Sequence, residues 1–383
     1  MAKKKLIVVW PYRFRDFDWQ RFELEQLSQH VEVHVHELID ALTPEFAAAY
    51  ANQSERPEVK RFSSLKDWRR EFKKVSKDSV VFTHVRPINL QSALICLNIR
   101  LSGSAVIGFS TGGAPNYASV GNDKESKSVK ILKTLFHFIK RTSLSFITPE
   151  MVFVGGTEEE KRARRDYSRR TSLIFGDSSD YSQTLLRIQN SKSVEFESVF
   201  LDTGFPGFLR DEMLTGDTES VLPSQWYPQI NKFLDFVNKA LGYKTVIAIH
   251  PKHVGRDHSA FFGSRRTIGG QTMDLVSSSE LVIATNSTSI SYAVAFRKPL
   301  FLVTCDAIEK SKKRKRLEIR NCSYETGAKI FNIDREYTEK DLRDALVIDH
   351  AKRESYKRKY LTSRTDEKPN YQVLLDEVIN VVD

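Results

Sequence analysis

The chain has 383 residues, 40% hydrophobic and 28% charged, a balance that excludes a disordered or fibrous chain and suits two folded domains. Lys and Arg number 59 against 49 Asp and Glu, a net charge of +10, which favours polyanionic partners without choosing among nucleic acid, an anionic membrane surface and phosphate-bearing substrates. No window approaches the ~20 apolar residues of a membrane-spanning helix, and three scattered cysteines (Cys96, Cys305, Cys322) fit a reducing cytoplasm rather than a disulfide or zinc framework.

In chain order, short β-branched runs at 5–10, 31–36, 79–84, 105–110, 151–155 and 172–176 predict strands, with helices at 19–28, 64–75, 90–101 and 128–142 between them. Strands that read as continuous apolar runs and alternate with helices imply a parallel sheet covered on both faces. The pattern then restarts with a strand at 198–201 and a helix at 229–241, where Ile230, Phe233, Leu234, Val237 and Leu241 recur at helical spacing. A strand at 245–250, a helix at 273–278, a strand at 281–285 and a helix at 289–296 follow, then strands at 300–304 and 329–332 and a helical region from 339. A polar joint at 186–197 separates the halves. The expectation is an α/β chain of two tandem doubly wound, Rossmann-like parallel-sheet domains facing a cleft. The expected domains are residues 1–190 and 191–383, with a final helical segment able to pack back on the first.

In such folds ligands sit at the carboxyl ends of strands, so the residues that follow the strands carry the chemistry. Ile249-His250-Pro251-Lys252 delivers His250 to a sheet edge, and Pro251 turns the chain out of the strand. A histidine there can donate to a phosphate or a leaving-group oxygen; the alternative is a core histidine that happens to end a strand. Next, the apolar run 281–285 enters Asn286-Ser287-Thr288-Ser289 and then an apolar helix. Hydroxyls at a helix N-terminus suit a phosphate or carboxylate, whereas simple capping needs only one of them. The strand that opens the second half ends in Asp202-Thr203-Gly204. Asp202 is a candidate general base or nucleophile, with an Asx-turn as the alternative. Asp177 and Asp180 are reserve candidates at the end of an earlier strand. In the first domain, the aromatic and charged loop after residue 10 offers rings and Arg13, Arg15 and Asp18 as polar ligand contacts, against plain loop packing.

His250-Pro251 followed by Ser287-Thr288-Ser289 resembles the C-terminal domain of GT-B glycosyltransferases, in particular bacterial enzymes that use CMP-activated acidic sugars. These are the sialyltransferases, polysialyltransferases and transferases of 3-deoxy-manno-octulosonic acid (Kdo). In them a His-Pro motif and a later Ser/Thr-rich motif bind the nucleotide phosphate and the donor carboxylate. The stretches 9–19 and 108–117 are similar to bacterial proteins of surface-carbohydrate biosynthesis. The resemblance implies a metal-independent transferase without a cofactor, holding a CMP-activated donor at His250, Pro251, Lys252, Asn286, Ser287, Thr288 and Ser289. It implies that residues 191–383 bind the donor and residues 1–190 a saccharide or lipid-linked glycan acceptor of lipopolysaccharide O-antigen or capsule assembly, with Arg13, Arg15, Asp18, Asp177 and Asp180 as acceptor-side candidates. It also implies that Asp202, as base or as nucleophile on the anomeric carbon, and His250 carry the chemistry. The expected location is the cytoplasm, with the basic runs 161–165 and 310–316 touching the anionic inner membrane face. Alternatives are a UDP-sugar transferase or epimerase, a CDP-polyol phosphotransferase or, outside enzymes, a basic nucleic-acid-binding protein. No nucleic-acid partner is expected, since no RRM, KH, zinc-finger or helix-turn-helix signature is present. A GxxxxGK phosphate loop, a strand–GxGxxG–helix unit and HExxH are also missing, which argues against NTPase, dinucleotide oxidoreductase and zinc-protease chemistry.

Overall fold

The computed structural model describes residues 3–47, 54–87, 89–109, 146–188, 197–206, 221–250, 259–311 and 313–379. Of these, residues 3–109, 146–186 and 359–379 pack as one unit, and the described part of 187–358 packs as a second.

The first unit is a seven-stranded sheet: β1 (Lys5–Trp10), β2 (Glu32–Glu37), β3 (Val59–Arg61), β4 (Ser79–Thr83), β5 (Ala105–Phe109), β6 (Met151–Gly155) and β7 (Ser172–Gly176). Its order is β3-β2-β1-β4-β5-β6-β7, and every pairing is parallel. The second unit has six strands: β8 (Ser198–Leu201), β9 (Thr245–Ile249), β10 (Thr267–Gly269), β11 (Leu281–Ala284), β12 (Leu300–Thr304) and β13 (Lys329–Asn332). They run in the order β10-β9-β8-β11-β12-β13, again all parallel. The two orders are the same doubly wound plan. The chain starts in the middle, builds to one side and then crosses to the other. The reversal falls between β1 and β4 in one unit and between β8 and β11 in the other.

Each sheet is covered on both faces, as the apolar strands require. In β1, Leu6, Val8 and Trp10 enter one core while Ile7 and Val9 enter the opposite one. In the second unit the helix Pro223–Leu241 places Trp226, Ile230, Phe233, Leu234 and Val237 against β8, β9 and β11. That helix begins six residues before the expected start at 229. Pro223 occupies the first turn, where its missing N–H costs nothing, and Pro228 lies on the exposed face.

Other differences have local causes. The helix expected over 19–28 is two short ones, Asp16–Arg21 and Leu24–Ser28, because Glu23 adopts a left-handed φ of 54°. Its carboxylate is buried and accepts the Tyr371 amide at 2.8 Å. The edge strands β3 and β10 have three residues each, too short to carry a periodic signal. The helix expected over 128–142 lies outside the described residues.

After residue 358 the chain returns to the first unit. Val373, Leu374, Val378 and Ile379 join the core of Leu6, Val8 and Trp10. Asn370 forms a two-way clamp on Asp177: its Oδ1 accepts the Asp177 amide at 2.8 Å and its Nδ2 donates to the Asp177 carbonyl at 3.0 Å. A Cβ at Gly176 would strike the Phe153 ring and Asn370, so only glycine fits beneath this segment.

Candidate functional site

Three neighbouring strands of the second sheet deliver the sequence-predicted donor residues to one edge. β8 lies between β9 and β11, paired Leu201↔Ala248 on one side and Leu201↔Ala284 on the other. The next residue on β8 is Asp202, whose amide donates to the Ala248 carbonyl at 3.0 Å. One step past its neighbour Ile249 comes His250, half-buried. Opposite Asp202 on the other flank comes Thr285, and the Thr203 and Thr285 hydroxyls lie 3.3 Å apart. Strands are ~4.8 Å apart, so Asp202, His250 and the turn 286–289 converge at the reversal of the second sheet, where open α/β sheets take their ligands.

Asp202 is 7% exposed, and its Oδ1 accepts the Gly204 amide at 2.8 Å. This is the Asx-turn weighed in the sequence, and it fixes the carboxylate at the strand end. Burial pushes the Tyr227 hydroxyl above its ordinary range, and the charge of Asp202 adds to the rise. The turn 286–289 is compact. The Ser289 amide donates to Ser287 Oγ at 3.2 Å, and the amides of Ile290, Ser291 and Tyr292 donate to the carbonyls of Ser287, Thr288 and Ser289. The helix that follows, Ile290–Ala295, has six residues. Those four amides therefore bond locally, and the polar groups the turn presents are hydroxyls: exposed Thr288 and half-buried Ser287 and Ser289.

The structure adds residues that the sequence did not single out. The helix Lys313–Thr326, read in the sequence only as part of a basic run, reaches this edge. Lys315 Nζ stands 3.9 Å from the centroid of the Phe205 ring, three residues after Asp202. Trp226 meets the same ring edge-on, centroids 5.3 Å apart. Asn286 Nδ2 donates to Glu318 Oε2 at 2.6 Å. Pro251 and Lys252 lie outside the described residues.

In the first unit the acceptor-side candidates behave differently. Arg13 is 8% exposed, and its guanidinium bonds Glu37 at 2.5 Å, Asp40 at 3.1 and 3.2 Å and the Ala47 carbonyl at 3.3 Å. It holds loops together from inside. Arg15 and Asp18 form the start of the helix Asp16–Arg21: Asp18 Oδ2 accepts the Arg15 amide at 3.0 Å and Nε at 3.1 Å. Asp177 is buried beneath Asn370, and Asp180 lies half-buried in the first turn of Ser179–Ile188. β7, which carries them, is four places from β1.

The reversal of the first sheet instead carries Tyr12, Trp10 and His84. Trp10 and His84 rings lie 5.2 Å apart, Tyr12 and His84 6.1 Å, and Tyr12 is 50% exposed. Burial, with help from Arg86, lowers the His84 imidazole to about 4, so it is neutral at pH 7. The signal was present in the sequence: His84 ends a strand just as His250 does.

The basic runs are largely paired internally. Lys161, Arg162, Arg164 and Arg165 meet Glu158, Glu159, Glu160 and Asp166. Arg314 meets Glu318, and Arg316 donates to the Glu309 carbonyl. Among the described residues no helix is long and apolar enough to cross a membrane.

No protein-family model matches the chain, and no curated protein matches it. Among solved structures it is similar to wall teichoic acid polymerase TagF soaked with CDPG, at 11% identity over 99% of this chain and 88% of that one, with a TM-score of 0.55. The fold is GT-B-like. A second TagF variant is similar at 13% identity over 100% of this chain and 89% of that one, TM-score 0.53. A UDP-GlcNAc 2-epimerase from Methanocaldococcus jannaschii is similar at 12% identity over 97% and 99%, TM-score 0.49. In a GT-B-like fold each Rossmann-like unit offers its own reversal edge, and here those edges carry Asp202, His250 and 286–289 in one unit and Tyr12 and His84 in the other.

Proposed function

We propose that the chain is a glycosyltransferase whose second unit holds a nucleotide-activated donor and whose first unit receives a saccharide acceptor. The observation that carries the reading is the meeting of Asp202, His250 and the turn 286–289 on three adjacent strand ends at the reversal of one sheet. The proposed donor is a CMP-activated acidic sugar, Kdo or sialic-acid-like. Its phosphate and carboxylate meet the hydroxyls of Ser287, Thr288 and Ser289, with Asn286 beside them; Pro251 and Lys252 are assigned to the same site from sequence alone. His250 donates to the departing phosphate oxygen, which takes the electron pair of the broken C–O bond. Asp202 removes the proton of the acceptor hydroxyl, or attacks the anomeric carbon to give a glycosyl-enzyme that the acceptor then resolves. Lys315 supplies positive charge nearby, and the reading calls for no metal ion. Tyr12 offers a ring face for the acceptor sugar. The setting is bacterial surface-polysaccharide assembly in the cytoplasm, at the inner membrane face when the acceptor is lipid-linked.

A second reading, transfer of a CDP-linked polyol phosphate, is favoured by one observation: the TagF structure with a similar fold was soaked with CDPG. Titration calorimetry with CMP, CDP, UMP and UDP separates the two. A cytidine nucleotide is expected to bind, and Ser287→Ala with Ser289→Ala should weaken it by ~30-fold through two lost charge-assisted bonds. Preference for CDP over CMP selects the second reading. Binding of uridine nucleotides alone overturns both.

A further inference from the structure

The Asn286 carboxamide has one end held and the other end without a donor among the described residues. Its Nδ2 donates to Glu318 Oε2 at 2.6 Å. A carboxylate only accepts, so the nitrogen must face Glu318 and the oxygen must face away. That oxygen, Oδ1, is buried and meets no hydrogen-bond donor among the described residues. Glu318 is held in turn: its other oxygen, Oε1, accepts from Arg314 Nε at 2.9 Å, one helical turn earlier. An acceptor fixed in direction and left unsatisfied in a strand-end turn calls for a functional explanation.

We propose that Glu318 is a positioning residue, which locks the Asn286 carboxamide so that Oδ1 accepts a hydrogen bond from a hydroxyl or exocyclic amine of the bound nucleotide donor. The inference rests on the glycosyltransferase reading and deepens it. The helix Lys313–Thr326, whose basic residues suggested a membrane-facing run, thereby acts on specificity. Without Glu318 the carboxamide can turn over and present Nδ2, a donor, where the ligand also presents a donor. The ligand then loses a bond and gains a repulsion.

Two measurements test this. Selective ¹⁵N labelling of asparagine reads the Asn286 side-chain amide without any ligand. Glu318→Ala and Glu318→Gln should shift that signal and speed its hydrogen exchange; an unchanged signal overturns the locking. The second is a double-mutant cycle on CMP and CDP affinity. Glu318→Ala is expected to weaken binding by ~10-fold, and Glu318→Gln, whose amide allows either orientation, by less. In an Asn286→Ala background, Glu318→Ala should change affinity less than ~2-fold, because its effect runs through Asn286. Equal weakening in both backgrounds means that Glu318 acts structurally and overturns the proposal. A wild-type protein that binds neither nucleotide overturns the function reading and the acceptor role assigned to Oδ1, while the amide signal separately decides whether Glu318 holds Asn286.

Discussion

Asp202 combines a structural role seen in the fold with the chemical role proposed for it. One carboxylate oxygen closes the turn onto Gly204, which removes rotational freedom from the side chain at the strand end. Asparagine keeps that bond and that shape but has neither charge nor basicity. Asp202→Asn is therefore expected to retain nucleotide affinity within a few-fold while turnover falls by ~100-fold or more. Steady-state kinetics alongside calorimetry check this; near-normal turnover removes Asp202 from the mechanism. Arg13 is the counter-example. Its sequence setting, in an aromatic loop after a strand, is as suggestive as that of Asp202. Yet Glu37 and Asp40 lie close in space and take its donors. Nothing in the local sequence distinguishes a cation facing ligand from one facing two buried or half-buried carboxylates.

At the scale of elements, the break between Asp16–Arg21 and Leu24–Ser28 shows distant chain overriding local propensity. Glu23 is held by Tyr371, and burial raises its carboxyl from 4.5 to about 7, with nearby Asp177 adding to the rise. The folded state thus binds the proton more tightly than the unfolded chain does. This contribution to stability is complete below pH 4.5 and is lost as pH rises through about 7. Glu23→Gln keeps an acceptor for Tyr371 and removes the ionisation, so it should stabilise the protein at pH 8 by up to ~3 kcal/mol and make little difference near pH 4.5. Denaturant melts at the two pH values check the sign; an equal effect at both refutes the assignment. His36 slopes the other way. Burial lowers it to about 4, so its stabilising neutrality is lost as pH falls below 6.5.

At the scale of the whole molecule, the first unit is not a continuous stretch of chain. It needs residues 359–379, which supply Val373, Leu374, Val378 and Ile379 to its core and Asn370 to the end of β7. A chain truncated after residue 358 exposes the apolar surface that these side chains cover. Burial of each such side chain is worth ~1.5–3 kcal/mol, and the sum exceeds much of the stability of an ordinary domain. The truncated chain is expected to lose the cooperative thermal transition of the first unit and most of its soluble yield. A calorimetric trace like that of the full chain contradicts the role given to this segment.

Strand identity and the doubly wound class are legible in the sequence because buried parallel strands are continuous β-branched runs. β1, β6, β7, β8, β12 and β13 occupy the residues the pattern marks. His250 and the turn 286–289 are legible too, since a strand followed by polar residues must end at a carboxyl edge. Strand order is another matter. That β8 lies between β9 and β11, and so brings Asp202, His250 and Asn286 together, is set by crossovers and side-chain packing. The partners of those residues come from far along the chain: Lys315 over Phe205, Glu318 on Asn286, Asn370 on Asp177. Local patterning reports which face of an element is apolar. Only the packed fold decides which distant charge or amide stands opposite, because that choice minimises unsatisfied polar groups across the whole structure rather than within any one segment.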